Sequence, residues 1–300
     1  MQHALSTEIS RFSDHLKFEK RYSAHTVRSY HDDLTQFNDY LETQFGGMKL
    51  RDISAPVVRS WLASMKQHKM TARTITRKIS TLKSFYKFMM RSGVVAKSPM
   101  TGIVSPKLAK KLPSYVEEKQ LKTLFRDVEF EDDWNGYTAK VAIRMLYQLG
   151  IRLSELVNCR EAQVDHANRQ VKILGKGNKE RIIPVGKELL KLLKDYAGKK
   201  RQVFEQPEKT YLLVTGKGKK LYPKYIYRLT HDYLELVTTI EKKSPHVLRH
   251  SFATHLMNNG AELNAVKDLL GHASLAATQV YTHNTIEKLR NVHKRAHPRG

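Results

Sequence analysis

The feature that most constrains this chain is a break in its apolar rhythm after Gly102. The run Ile-Val-Ser-Pro-Lys-Leu-Ala-Lys-Lys-Leu-Pro (103–113) holds two prolines and three lysines and no helical or alternating pattern. Proline fixes φ and offers no N–H, so neither a helix nor a central strand runs through such a segment. Three hundred residues also exceed what one typical core organises. The expected layout is therefore a first domain over 1–102, a linker over 103–113 and a second domain over 114–300.

Ahead of the break the apolar spacing is helical throughout. Leu5, Ile9, Phe12 and Leu16 share one face. Val27, Tyr30, Leu34, Phe37 and Leu41 share another, predicting a helix over 26–41. Ser54 with Pro56 marks the start of a third helix. A fourth runs from about Ala72 to Met90, with Ile75, Ile79, Leu82, Phe85, Tyr86 and Met89 as its apolar stripe. Arg73, Arg77, Lys78 and Lys83 are expected to project from its other face. After the break, Ser114 and Glu117 form a capping-box pattern. Helices are expected over 117–127 and 138–150, then alternating strands over 162–166, 170–174 and 180–185, with Gly175-Lys176-Gly177-Asn178 at a hairpin tip. From about Lys187 the pattern is mostly helical. The fold class is thus mainly α, with a small antiparallel sheet in the second domain.

Charge narrows the partner. The net charge is +24, and from Ile53 to Val116 there is no Asp or Glu against thirteen Lys or Arg. A run of one sign this long suits a phosphate backbone, with an anionic membrane surface the lesser alternative. The basic face of the fourth helix is the candidate element for tracking DNA. The single cysteine, Cys159, excludes an internal disulfide and follows Leu156 and Val157, as a buried, inert thiol would. No signal peptide and no membrane-spanning apolar run is evident, which points to the cytosol and away from a membrane.

The chemistry is concentrated in a few short segments. Tyr281 alone would be an ordinary half-buried helix residue, because a phenol with pKa about 10 needs a base or strong positive charge to act as a nucleophile. His246 and Arg249 are three apart, so one helical turn can present an acid–base group and a planar guanidinium together. Arg152, just after Gly150, supplies a second guanidinium. Lys176, between two glycines, can approach a ligand closely, and a lysine among cations titrates low enough to act as a proton donor. His272 can donate a hydrogen bond to phosphate. Glu155, three residues after Arg152, can orient Arg152 or Lys176. His246 and His250 have zinc-helix spacing, but the partnering glutamate of a His-Glu-x-x-His motif is absent. Gly-Lys-Gly at 175–177 and 216–218 lacks the spacing of a phosphate-binding P-loop. No metal and no cofactor is indicated.

Together these segments resemble the tyrosine site-specific recombinases, the family of phage integrases, bacterial Xer recombinases and Cre. Gly-Ile-Arg-Leu-Ser-Glu-Leu (150–156) is similar to the first arginine box, Leu-Gly-Lys-Gly-Asn-Lys-Glu-Arg (174–181) to the lysine hairpin, and His-Val-Leu-Arg-His (246–250) to the His-x-x-Arg box. Leu-Leu-Gly-His (269–272) and Gln-Val-Tyr-Thr-His (279–283) resemble the final histidine and the nucleophile. The order matches throughout, and the resemblance covers both domains. It implies a helical, SAM-like core-binding domain followed by a catalytic domain, together a two-domain, C-shaped clamp on double-stranded DNA. It also implies catalytic roles for Arg152, Lys176, His246, Arg249, His272 and Tyr281, a 3′-phosphotyrosine intermediate, and a homo- or hetero-tetramer on two DNA sites. Compact size, the fit of the boxes and the ending His-Lys-Arg-Ala-His-Pro (293–298) resemble the Xer recombinases most. Chromosome dimer resolution, activation by a DNA translocase of the FtsK type, and docking of the segment 285–297 on a neighbouring protomer follow as expectations. Integration or inversion by a mobile element is the alternative; a type IB topoisomerase or a non-enzymatic DNA-binding protein fits less well.

Overall fold

The computed structural model describes residues 5–107, 114–175, 179–271 and 295–297. The chain forms two compact units, Met1–Lys111 and Leu112–Gly300.

Unit one is helical. It contains α1 (Ser6–Asp14), running on into a π-helical turn over His15–Glu19, then α2 (Ala24–Phe45), α3 (Ala55–Gln67) and α4 (Ala72–Arg91). Local chemistry sets the boundaries. Ser23 Oγ accepts from the Thr26 amide at 3.3 Å and Thr71 Oγ1 from the Thr74 amide at 3.2 Å. These bonds cap α2 and α4. α2 stops at Gly46, whose φ of +66° suits glycine. Ser54 occupies the N-cap of α3 without a side-chain cap bond, and Pro56 lies in its first turn. Leu5, Ile9, Phe12 and Leu16 are buried, and the predicted stripe of α4 packs with Phe37 and Trp61 into one apolar cluster.

One expectation for α4 is overturned. Arg73, Arg77 and Lys83 are exposed, but Lys78 is 2% exposed. It lies three residues after Ile75 and four before Leu82, so it belongs to the buried stripe. Its Nζ donates to Asp33 Oδ1 at 2.8 Å and to Gln36 Oε1 at 2.5 Å. The same ammonium sits 5.7 Å from the Trp61 ring centre, within cation–π reach. Buried Asp33 also accepts from Arg77 and from Thr81 Oγ1. Lys78 is thus a buried, paired charge inside the unit and not part of a basic outer face.

Unit two is built around α6 (Trp134–Gln148), whose residues are buried on most sides. Around it pack α7 (Leu153–Asn158), α8 (Lys187–Val203), α9 (Pro223–Glu235) and α10 (Pro245–Asn258). α5 (Glu118–Arg126) precedes it and α11 (Leu263–Leu270) follows α10. α6 starts four residues earlier than its periodicity suggests, because Asp133 Oδ1 accepts from the Gly136 amide at 2.7 Å and caps it. The capping box lies at Glu117 and Gln120, not at Ser114 and Glu117. A three-stranded antiparallel sheet, β1 (Val164–Asp165), β2 (Gln170–Leu174) and β3 (Glu180–Pro184), is ordered β1-β2-β3, with Ile173 opposite Arg181. The stretch expected to be mostly helical is interrupted over 204–222, where Pro207, Gly216 and Gly218 break the helix and Val214 bridges Lys220. Cys159 is 2% exposed, and burial pushes its thiol up to about 12. No helix among the described residues is long and apolar enough to cross a membrane.

Ala296 and His297 are buried within this same unit. Asn259 Nδ2 donates to the Ala296 carbonyl at 2.8 Å, and the His297 ring lies 5.0 Å from Tyr147 and 5.4 Å from Phe252. At these residues the chain packs against its own unit, where Tyr147 and Phe252 offer an aromatic seat. The rest of 285–297 lies outside the described residues.

Candidate active site

The site begins where α6 ends. Gly150 has φ +58°, and a Cβ placed on it would lie 2.7 Å from Phe252 Cε1 and closer still to Cδ1. Only glycine satisfies both the backbone angle and the close approach. The turn makes Arg152 the N-cap of α7, where a glutamate three residues on can reach back. Glu155 Oε2 accepts from the Arg152 amide at 2.8 Å, and Oε1 accepts from Arg152 Nη1 at 2.7 Å. Glu155 is therefore placed to orient Arg152, one of the two partners expected for it.

The same carboxylate accepts from a residue that sequence reasoning missed. Arg181 Nη1 donates to Glu155 Oε1 at 2.9 Å and Nη2 to Oε2 at 2.7 Å, with both side chains 4% exposed. Burial raises the Glu155 pKa, but the donors from Arg181 and Arg152 outweigh it and the carboxyl titrates below its ordinary range. A signal was present in the sequence. In the alternation of β3 the inward positions hold Arg181 and Ile183, so a guanidinium stands at an apolar register.

Three guanidiniums then meet three consecutive carbonyls. Arg181 Nε donates to Leu269 O at 2.9 Å, Arg249 Nη2 to Leu270 O at 2.7 Å, and Arg152 Nη2 to Gly271 O at 3.2 Å. These carbonyls close α11, whose C-terminal end carries the negative pole of the helix and attracts cations. Gly271 caps it at φ +62°. Arg249 Nη1 also donates to Gly150 O, so α10 is tied to the turn that presents Arg152. Burial first, and then Arg152 and Arg181, pull the Arg249 pKa down to about 10 against the pull of Glu155, which leaves it charged at neutral pH. The cluster holds three positive groups against one carboxylate, with Arg249 8% exposed and the Arg152 side chain 31% exposed. Two pre-oriented guanidiniums at the rim of a buried site suit an incoming phosphate.

The other expected groups are placed as follows. His246 is exposed in the first turn of α10, three residues before Arg249. Lys176, His272 and Tyr281 lie outside the described residues. The chain reaches Lys176 from Gly175, whose amide donates to Lys179 O at 2.8 Å, and reaches His272 from Gly271. Among the described residues no group of three or more His, Cys, Asp or Glu could hold a metal ion.

Known proteins share this organisation. Residues 114–288 match the Phage integrase family, and residues 9–93 match its N-terminal SAM-like domain. The chain is 35% identical to Tyrosine recombinase XerC of Chlorobaculum parvum over 96% of this chain and 93% of that one. It is 39% identical to Tyrosine recombinase XerC of Staphylococcus epidermidis over 95% of each. The crystal structure of XerH site-specific recombinase bound to palindromic difH substrate has a TM-score of 0.70 at 21% identity, covering 95% of this chain and 83% of that one, and so shares the fold. Matches over both units, with relatives of this identity along nearly the whole length, place the chain in the phage integrase family, as a site-specific tyrosine recombinase of the Xer type.

Proposed function

We propose that this recombinase resolves chromosome dimers, with Tyr281 as its nucleophile. The observation that carries the chemistry is the convergence of Arg152 and Arg249 on successive carbonyls of one helix end, which fixes two guanidiniums beside each other. A phosphate held there gains charge as a fifth oxygen approaches phosphorus. Donors aimed at such charge are worth roughly 3–4 kcal/mol each.

In the proposed sequence, His246 accepts the phenolic proton as the Tyr281 oxygen attacks phosphorus. The P–O5′ bond breaks and Lys176 delivers a proton to the departing 5′ oxygen. His272 donates to a phosphate oxygen. The 3′-phosphotyrosine keeps the bond energy, so a 5′-hydroxyl from another strand can displace the tyrosine and religate without ATP. The partner is double-stranded DNA. Unit one would supply the core-binding half of the clamp, through exposed Arg73, Arg77 and Lys83. Two DNA sites and four protomers, identical or from two related recombinases, would complete the assembly in the cytoplasm. A translocase of the FtsK type is a proposed activator.

Covalent trapping tests this reading. The protein is incubated with fragmented, nicked host DNA and denatured, and protein-linked DNA is sequenced beside a Tyr281→Phe blank. Adducts at one chromosomal locus are expected. Adducts at element ends or inverted repeats would move the role to a mobile element, and none above the blank would remove autonomous cleavage.

A further inference from the structure

Arg181 belongs to none of the six groups above, yet it touches the segments that lead to Arg152, Lys176 and His272. It stands on β3, one arm of the hairpin that carries Lys176. Its guanidinium makes the two-pronged contact with Glu155 on α7, and its Nε reaches Leu269 O at the end of α11. The base of the Lys176 loop rests on the same group: a Cβ on Gly175 would lie 3.5 Å from Arg181 Nη1 and 3.6 Å from Glu155 Oε1. A Cβ on Gly271 would lie 3.0 Å from Arg181 Cδ. The inward side chains Val171, Ile173 and Ile183 seat the sheet in the apolar core of unit two. Arg181 adds the buried polar tie that joins β3 to both α7 and α11, just below the Lys176 loop.

We infer that Arg181 is a positioning residue for proton delivery, holding the hairpin so that Lys176 reaches the departing 5′ oxygen. The inference rests on the proposed role of Lys176. Arg152 does not depend on Arg181 in the same way, because it keeps its own two bonds to Glu155 and one to Gly271 O. Loss of Arg181 should therefore weaken proton delivery more than phosphate clamping. A proton donor acts only within hydrogen-bond reach of the atom it protonates, and general acid catalysis contributes about 10²–10⁴-fold.

The test uses nicked duplexes of the trapped sequence in which the bridging 5′ atom at the scissile phosphate is either oxygen or sulfur. A thiolate leaves without a proton, so the sulfur substrate bypasses the donor. Wild type, Lys176→Ala, Arg181→Met and Arg181→Lys are compared for the rate of covalent adduct formation, well below each variant's Tm. Arg181→Met is expected to lose about 100-fold on oxygen and less than about 5-fold on sulfur. Arg181→Lys keeps a charge opposite Glu155 and guards against misfolding. It is expected to show the same selectivity with a smaller loss, about 10-fold on oxygen. Equal loss on both substrates, or no loss on either, would overturn the inference. Lys176→Ala that stays slow on sulfur would overturn the role of Lys176 and the inference with it, whereas wild type that cleaves neither would overturn the wider reading.

Discussion

Substituting Gly150 by alanine should damage the site without touching a charged group. Two effects add. The backbone at Gly150 has φ +58°. A side chain held in that left-handed region costs about 1–2 kcal/mol. A Cβ 2.7 Å from Phe252 Cε1 also forces the ring or the turn to move. Overpacking of this kind costs about 1–3 kcal/mol. The sum is about 2–5 kcal/mol from unit two. The chain has two tryptophans, Trp61 in unit one and Trp134 in unit two, so Trp134 fluorescence in a Trp61→Phe background reports unfolding of unit two alone during a urea titration. Phe252→Ala separates the two effects. Alone it leaves a cavity costing about 3–5 kcal/mol. In the double variant the clash is gone, so the combined loss should fall short of the sum of the singles by about 1–3 kcal/mol. Gly150→Ala within about 0.5 kcal/mol of the parent would refute the reasoning, since a surface change of no consequence has that size. Strict additivity would refute the contact with Phe252.

Arg249→Lys should slow covalent cleavage by about 10²–10³-fold in a single-turnover assay. An ammonium cannot span Gly150 O and Leu270 O while facing a phosphate. Asp33→Ala should cost unit one about 3–5 kcal/mol by leaving a buried cation unpaired. That cation is Lys78, and the loss is read from Trp61 fluorescence in a Trp134→Phe background. Buried His255 shares a hydrogen bond between its Nδ1 and Tyr147 Oη at 3.0 Å. Burial, opposed by Glu118 and the Val116 backbone, holds its pKa below the ordinary histidine value. The unfolded state then binds its proton first, so the stabilisation is complete above about pH 6.5 and is lost as pH falls through the folded pKa. The Tm of unit two should drop across that window in wild type and less steeply in His255→Asn.

Much of this architecture was legible in the sequence because periodicity records burial. The stripes of α1, α2 and α4 and the strands of the sheet follow directly from apolar spacing. Reading failed where a side chain of one chemical class does the work of another. Lys78 and Arg181 are charged residues at apolar positions, each made tolerable by a carboxylate that only tertiary structure brings near, Asp33 in one case and Glu155 in the other. The start of α6 shifted for a similar reason. Asp133 captures the Gly136 amide ahead of the first apolar residue counted, so the periodic signal begins later than the helix, while at α5 only the capping box moved, to Glu117 and Gln120. At the candidate site, Glu155 could be linked to Arg152 by its spacing of three. Its pairing with Arg181, twenty-six residues away, could not.

If Tyr281 is the nucleophile, it carries the DNA after cleavage. The direct measurement is to trap the adduct on a nicked duplex, trim the DNA with nuclease, digest with trypsin and fragment the modified peptide by mass spectrometry. A nucleotide joined through its 3′ phosphate to Tyr281 is expected, with a free 5′-hydroxyl on the released strand and no adduct in Tyr281→Phe. A modification on any other residue, or a 5′ linkage, would contradict it.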